Sequence, residues 1–128
     1  HTSTFNQLLA FEVGKGGFID KHIEVIKATY RERRNVMLET LEEYMPPGVS
    51  WTHPDGGLFL WVTVPETINT SDIFLDAIKE GVAFVSGESF FPCGGGTNTM
   101  RLNFSAERPD RINEGISRLA RVMKKYIN

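Results

Sequence analysis

Glycines and prolines, more than any other feature, dictate how this chain can be laid out. Most fall at Gly14-Lys15-Gly16-Gly17, Pro46-Pro47-Gly48, Pro54-Asp55-Gly56-Gly57, Gly81, Gly94-Gly95-Gly96 and Pro109. Each of these positions favours a turn, a helix end or a helix start, and none suits the interior of a regular element. The chain is therefore cut into short segments, and the hydrophobic period within each decides what it becomes.

Behind Thr2-Ser3-Thr4, whose hydroxyls suit an N-cap, Phe5, Leu8, Leu9 and Val13 recur at helical spacing. Asp20 is expected to cap a second, long helix carrying Ile23, Ile26, Tyr30, Val36, Met37, Leu38, Leu41 and Tyr44 and stopping before Pro46. The run Arg31-Glu32-Arg33-Arg34 inside it reads as a solvated face, continued by Glu39, Glu42 and Glu43. Val49 to Thr52 and Leu58 to Val64 read as strands, joined into a hairpin by Pro54-Asp55-Gly56-Gly57, with a loop of about four or five residues. That register sets Trp51 and Trp61 facing each other in the core. The turn role accounts for the Gly56-Gly57 pair without a phosphate.

Thr70-Ser71-Asp72 caps a helix with Ile73, Phe74, Ala77 and Ile78 on one face, ended by Gly81. Val82 to Val85 is a short strand, and 86–98 an irregular stretch long enough to imply function or mobility. Met100 to Phe104 is a strand, and Pro109-Asp110 opens a last helix through Ile112, Ile116, Leu119, Val122 and Met123. The order helix–helix–strand–strand–helix–strand–strand–helix predicts an α+β fold, a small sheet of about four strands with helices packed on it. Residues 1–128 form a single domain, with 1–45 as helices leading into a core at 49–128.

Hydrophobic residues at 41% and charged residues at 23% are ordinary for a globular domain. A net charge of −2 offers no field for phosphate backbones or anionic lipid, which argues against nucleic-acid and membrane partners. The single cysteine, Cys93, cannot form an internal disulfide, and no apolar run is long enough to span a bilayer, so a cytoplasmic protein is expected. His1, His22 and His53 stand apart from any metal-ligand spacing. The chain opens on His1 with residues already patterned as structure, which reads as a fragment of a longer protein.

The residue that stands out is Arg101, set between Met100 and Leu102 in an apolar strand. An ionised guanidinium is costly to bury without an anionic partner. Two partners fit: one of the sixteen Asp and Glu side chains, or the carboxylate of a ligand, which the planar fork would grip bidentately.

A resemblance bears on that choice. Pro54-x-Gly56-Gly57-x-Phe59-x-Trp61, Gly81-Val82, Gly87-x-x-Phe90, Arg101-Leu102-Asn103-Phe104-Ser105 and Ile112-x-x-Gly115-Ile116-x-x-Leu119 occur in order over about seventy residues. Together they resemble the C-terminal small domain of class I and II pyridoxal-phosphate (PLP) aminotransferases, of fold type I. Thr2-Ser3-Thr4-Phe5-Asn6-Gln7 and Tyr30-Arg31-Glu32-Arg33-Arg34 resemble its 2-aminoadipate branch in particular. One departure is Ser86, where many members carry proline, which leaves a freer φ before the Gly87 turn.

The resemblance implies a transaminase acting on amino acids and 2-oxo acids, in which this domain captures the substrate. Arg101 would bind the α-carboxylate, and the domain would close on a large PLP-binding domain of the same chain, in a homodimer. The Schiff-base lysine of that family lies in the large domain. Lys15, Lys21, Lys27, Lys79, Lys124 and Lys125 read as solvated charges, so the chain alone is expected to be inactive. Two other readings stay open: the effector-binding domain of a MocR-type transcription regulator, and a stand-alone ligand-binding module.

Overall fold

The computed structural model describes residues 1–127. Helices α1 (Thr4–Gly14) and α2 (Phe18–Tyr44) lead into strands β1 (Ser50–Trp51) and β2 (Phe59–Thr63), then α3 (Thr70–Lys79). Strand β3 (Val85–Ser86), a 3₁₀ turn at Gly87–Phe90, β4 (Thr99–Asn103) and α4 (Pro109–Met123) complete the chain. The sheet is antiparallel throughout, in the order β1-β2-β4-β3. The expected α+β architecture is the one observed.

Alternation along the two central strands sorts their side chains. Leu60 and Val62 of β2 and Met100 and Leu102 of β4 are buried on one face. There they join Met37 and Leu41 of α2, Ile73 and Ala77 of α3, and Ile112, Ile116, Leu119 and Val122 of α4. The other face carries Phe59, Trp61, Arg101 and Asn103.

The helical leader behaves differently. No residue of α1 is buried, and in α2 burial begins at Met37. Phe5, Leu8, Leu9, Phe11, Phe18, Ile19 and Val25 are all exposed. No helix among the described residues is long and apolar enough to cross a membrane.

Several local expectations need correction. The N-cap of α2 is Gly17, at φ 71°, and Asp20 lies inside the first turn, where its charge still suits the helix dipole. For α3 the cap is Asn69, whose side chain accepts from Ser71 N at 2.8 Å. Thr70 is instead buried, 2.8 Å from the Thr99 carbonyl and 3.0 Å from Ser86 Oγ. Ser86 takes φ −59°, the value a proline would impose, so the serine costs the turn none of that geometry.

The tryptophans do not face each other. Trp51 pairs with Val62, while the Trp61 carbonyl accepts from Thr52 N at 2.9 Å. Residues 52–58 separate the strands, a longer loop than expected, and a slip of one residue turns a side chain to the opposite face. Trp51 packs against the core; Trp61 lies on the open face, and both are half-buried. Strand β3 also starts later than expected, at Val85.

The basic run of α2 is only partly solvated. Arg31 is exposed, but Arg33 donates to the Ser105 carbonyl and Arg34 to the Pro54 carbonyl at 3.0 Å. These two arginines tie α2 to the segment after β4 and to the hairpin loop.

Candidate functional site

The open face of the sheet is centred on Arg101. Its backbone pairs with Trp61 on one side and Val85 on the other, so it occupies the middle of three strands. The side chain is half-buried. Its guanidinium carbon lies 4.0 Å from the centre of the Phe59 ring and 4.8 Å from that of Phe90. Such contacts attract a cation through the ring quadrupole.

What the guanidinium lacks is an anion. Among the described residues it belongs to no ion pair and donates no hydrogen bond, although Arg108, Arg111 and Arg118 all pair with carboxylates. The internal salt bridge that the sequence leaves open is therefore not formed among these residues. The donor fork is available to a carboxylate from outside.

Phe90 is brought to this face by the 3₁₀ turn, and the turn by Gly87. That glycine is buried so close to the Thr99 side chain and the Gly96 carbonyl that a methyl group has no room. Thr99 Oγ1 donates to Gly96 O at 2.7 Å, and Gly94, Gly95 and Gly96 all adopt positive φ, bending the loop back onto the sheet. Trp61 then meets Phe90 edge-on at 5.4 Å and Phe91 at 6.4 Å. The stretch 86–98 is thus held at both ends.

Sequence reasoning misses this aromatic frame. The available signal is Phe59-x-Trp61, out of phase with the buried Leu60-x-Val62. Phe90 reaches the site from a distant loop and has no such signal.

Other candidates stay apart from the site. Lys15, Lys27 and Lys79 are paired with Glu12, Glu24 and Asp76, and Lys21, Lys124 and Lys125 are exposed. A Schiff-base lysine needs a desolvated pocket and a partner for the cofactor ring, and among the described residues none of the six lysines has that setting, so these residues do not by themselves fit PLP. His22 stacks on Phe18, Cys93 is exposed, and no metal-binding cluster occurs among the described residues.

No family model matches the chain. Its relatives do. Aromatic-amino-acid aminotransferase 1 of Thermococcus litoralis is 48% identical over 97% of this chain and 30% of its own length. The solved multiple substrate aminotransferase of Thermococcus profundus superposes with a TM-score of 0.92 at 48% identity, over 97% of this chain and 31% of that one. The α-aminoadipate aminotransferase LysN of Thermus thermophilus, solved with N-(5'-phosphopyridoxyl)-L-leucine, gives 0.90 at 39%, over 98% and 32%. The chain spans about 30% of the length of the curated relatives it matches, at their C-terminal part.

Proposed function

Because this chain is, in sequence and in fold, the counterpart of the C-terminal part of fold-type I, PLP-dependent aminotransferases, we propose that it is the substrate-capturing domain of a transaminase. Arg101 receives the α-carboxylate of an amino acid or 2-oxo acid. The observation that carries this reading is the half-buried guanidinium at the centre of the open sheet face, without an ion pair or donated hydrogen bond among the described residues. A bidentate carboxylate would complete its charge and its donors together, and would fix the reacting carbon relative to the sheet.

The same reading places the cofactor on a large domain of the same protein, facing Arg101. PLP supplies the electron sink when bound there; this chain binds the carboxylate, orients it and helps exclude water. The exposed apolar residues of α1 and of the first turns of α2 are the surface on which that domain and a dimer partner would rest. The 128-residue chain alone has no transaminase activity on this account.

The test is Arg101→Ala in the full-length protein. KM for amino-acid substrates is expected to rise by about a hundredfold or more, as for loss of one partner of a desolvated charge pair. PLP absorbance is expected to stay unchanged. An unaltered KM, or loss of the cofactor or of the fold, would overturn the reading.

A further inference from the structure

An arginine in the middle of a sheet needs something to hold its plane. Usually that is a carboxylate, which also consumes part of the donor fork and neutralises the charge. Arg101 has neither cost, because no carboxylate pairs with it among the described residues. What touches it is aromatic: Phe59 on its own sheet at 4.0 Å and Phe90 from the 3₁₀ turn at 4.8 Å. A ring attracts the cation without neutralising it as a carboxylate would.

We propose that Phe59 and Phe90 are positioning residues for Arg101, holding the guanidinium through ring contacts so that its charge, not neutralised by a carboxylate among the described residues, awaits the substrate carboxylate. The inference rests on the reading of Arg101 as carboxylate receptor. The support for the two rings is unequal. Phe59 is fixed by the β2–β4 ladder, in which it pairs with Asn103, two residues beyond Arg101. Phe90 depends on the packing of Gly87 against Thr99 and on the edge contact with Trp61. The clamp therefore joins one strand of the sheet to the loop at 86–98, and the loop's order becomes a condition for a well-aimed arginine.

The experiment is a double-mutant cycle in the full-length protein, with Phe59→Leu and Phe90→Leu made alone and in an Arg101→Ala background. Each leucine variant is expected to raise KM for amino-acid substrates roughly three- to tenfold with kcat little changed, and Phe59→Tyr, which keeps the ring, to restore it. In the Arg101→Ala background the leucine substitutions should add nothing. An equal rise in that background, or a tyrosine as poor as leucine, would overturn the clamp while leaving Arg101 as receptor.

Should Arg101→Ala itself leave KM unchanged, the receptor reading falls and the clamp's role falls with it. A second measurement, made on the 128-residue chain without substrate, tells the two failures apart. The Arg101 Nε proton is expected upfield of those of the other arginines because of the two ring currents, and to move back in either leucine variant. A proton without that shift would overturn the contact whatever the substrate.

Discussion

The two faces of one sheet place opposite demands on neighbouring residues. On the covered face, Leu60, Val62, Met100 and Leu102 meet side chains from α2, α3 and α4 and have almost no contact with water. One residue along in each strand, Phe59, Trp61 and Arg101 meet one another and the aromatic rings of Phe90 and Phe91, Asn103 accepts from Ser105, and all four remain partly exposed. The covered face devotes its chemistry to packing. The open face keeps a charge that has no ionic partner among the described residues and large rings without full cover, the features on which the proposed carboxylate site rests.

The contrast is sharpest in a pair of neighbouring substitutions. Leu60→Ala should destabilise the chain by about 2–5 kcal/mol in urea unfolding, as for a leucine removed from a closed core. Arg101→Ala, measured the same way, should change stability by less than about 1 kcal/mol, since it breaks no ion pair among the described residues. Equal losses would mean that the open face is structural.

A smaller effect is expected at the seam between sheet and loop. Gly87→Ala forces a methyl group against Thr99 and the Gly96 carbonyl, and should cost about 1–3 kcal/mol. Because the displaced turn carries Phe90, near-ultraviolet circular dichroism of Trp61 should weaken as well. A loss of stability with an unchanged Trp61 signal would show that the turn and the aromatic frame are independent.

The smallest effect tests whether the helical cover acts as one layer. Tyr126 donates to Asp76 Oδ2 at 2.9 Å, joining the turn after α4 to α3. Hydrogen bonds from Lys79 and then from Tyr126 hold the Asp76 carboxyl below its ordinary range, and the bond to Asp76 raises the Tyr126 hydroxyl above its own. The carboxylate's share of this tie is present above the ordinary aspartate range and fades as pH falls through the lowered value. The phenol's share is present below the ordinary tyrosine range and fades as pH rises through the raised one. Tyr126→Phe should therefore lower Tm by about 1–3 °C near neutral pH, with the gap to the parent closing at both extremes. A gap independent of pH would assign the effect to packing alone.

Much of this plan is legible in the sequence, because breakers and hydrophobic period are local signals. Gly14 to Gly17, Pro46-Pro47 and Pro109 end or start helices where expected, and Arg101 stands out in its strand unaided. What escapes depends on distance or on single-residue register. Trp61 falls on the face opposite to the expected one because the hairpin loop is longer than its glycines and proline imply. Asn69, and not Thr70, caps α3 because the Thr70 hydroxyl is engaged by a carbonyl on β4, a contact no local pattern encodes. Arg33 and Arg34 look like solvent charges in the sequence because their carbonyl partners come from Ser105 and Pro54. The same holds for Phe90 over Arg101.

Helix α2 runs unbroken from Phe18 to Tyr44, with neither glycine nor proline inside it. At 1.5 Å per residue such a helix is about 40 Å long and bends only gently. Its far end buries no residue and leaves Phe18, Ile19 and Val25 exposed, while its near end is joined to the core through Met37 and Leu41 and to the segment after β4 by Arg33. Arg33 and Arg34 join this helix to Ser105 after β4 and to the Pro54 loop, so one rigid span of about 40 Å connects an exposed apolar surface to the sheet that carries Arg101.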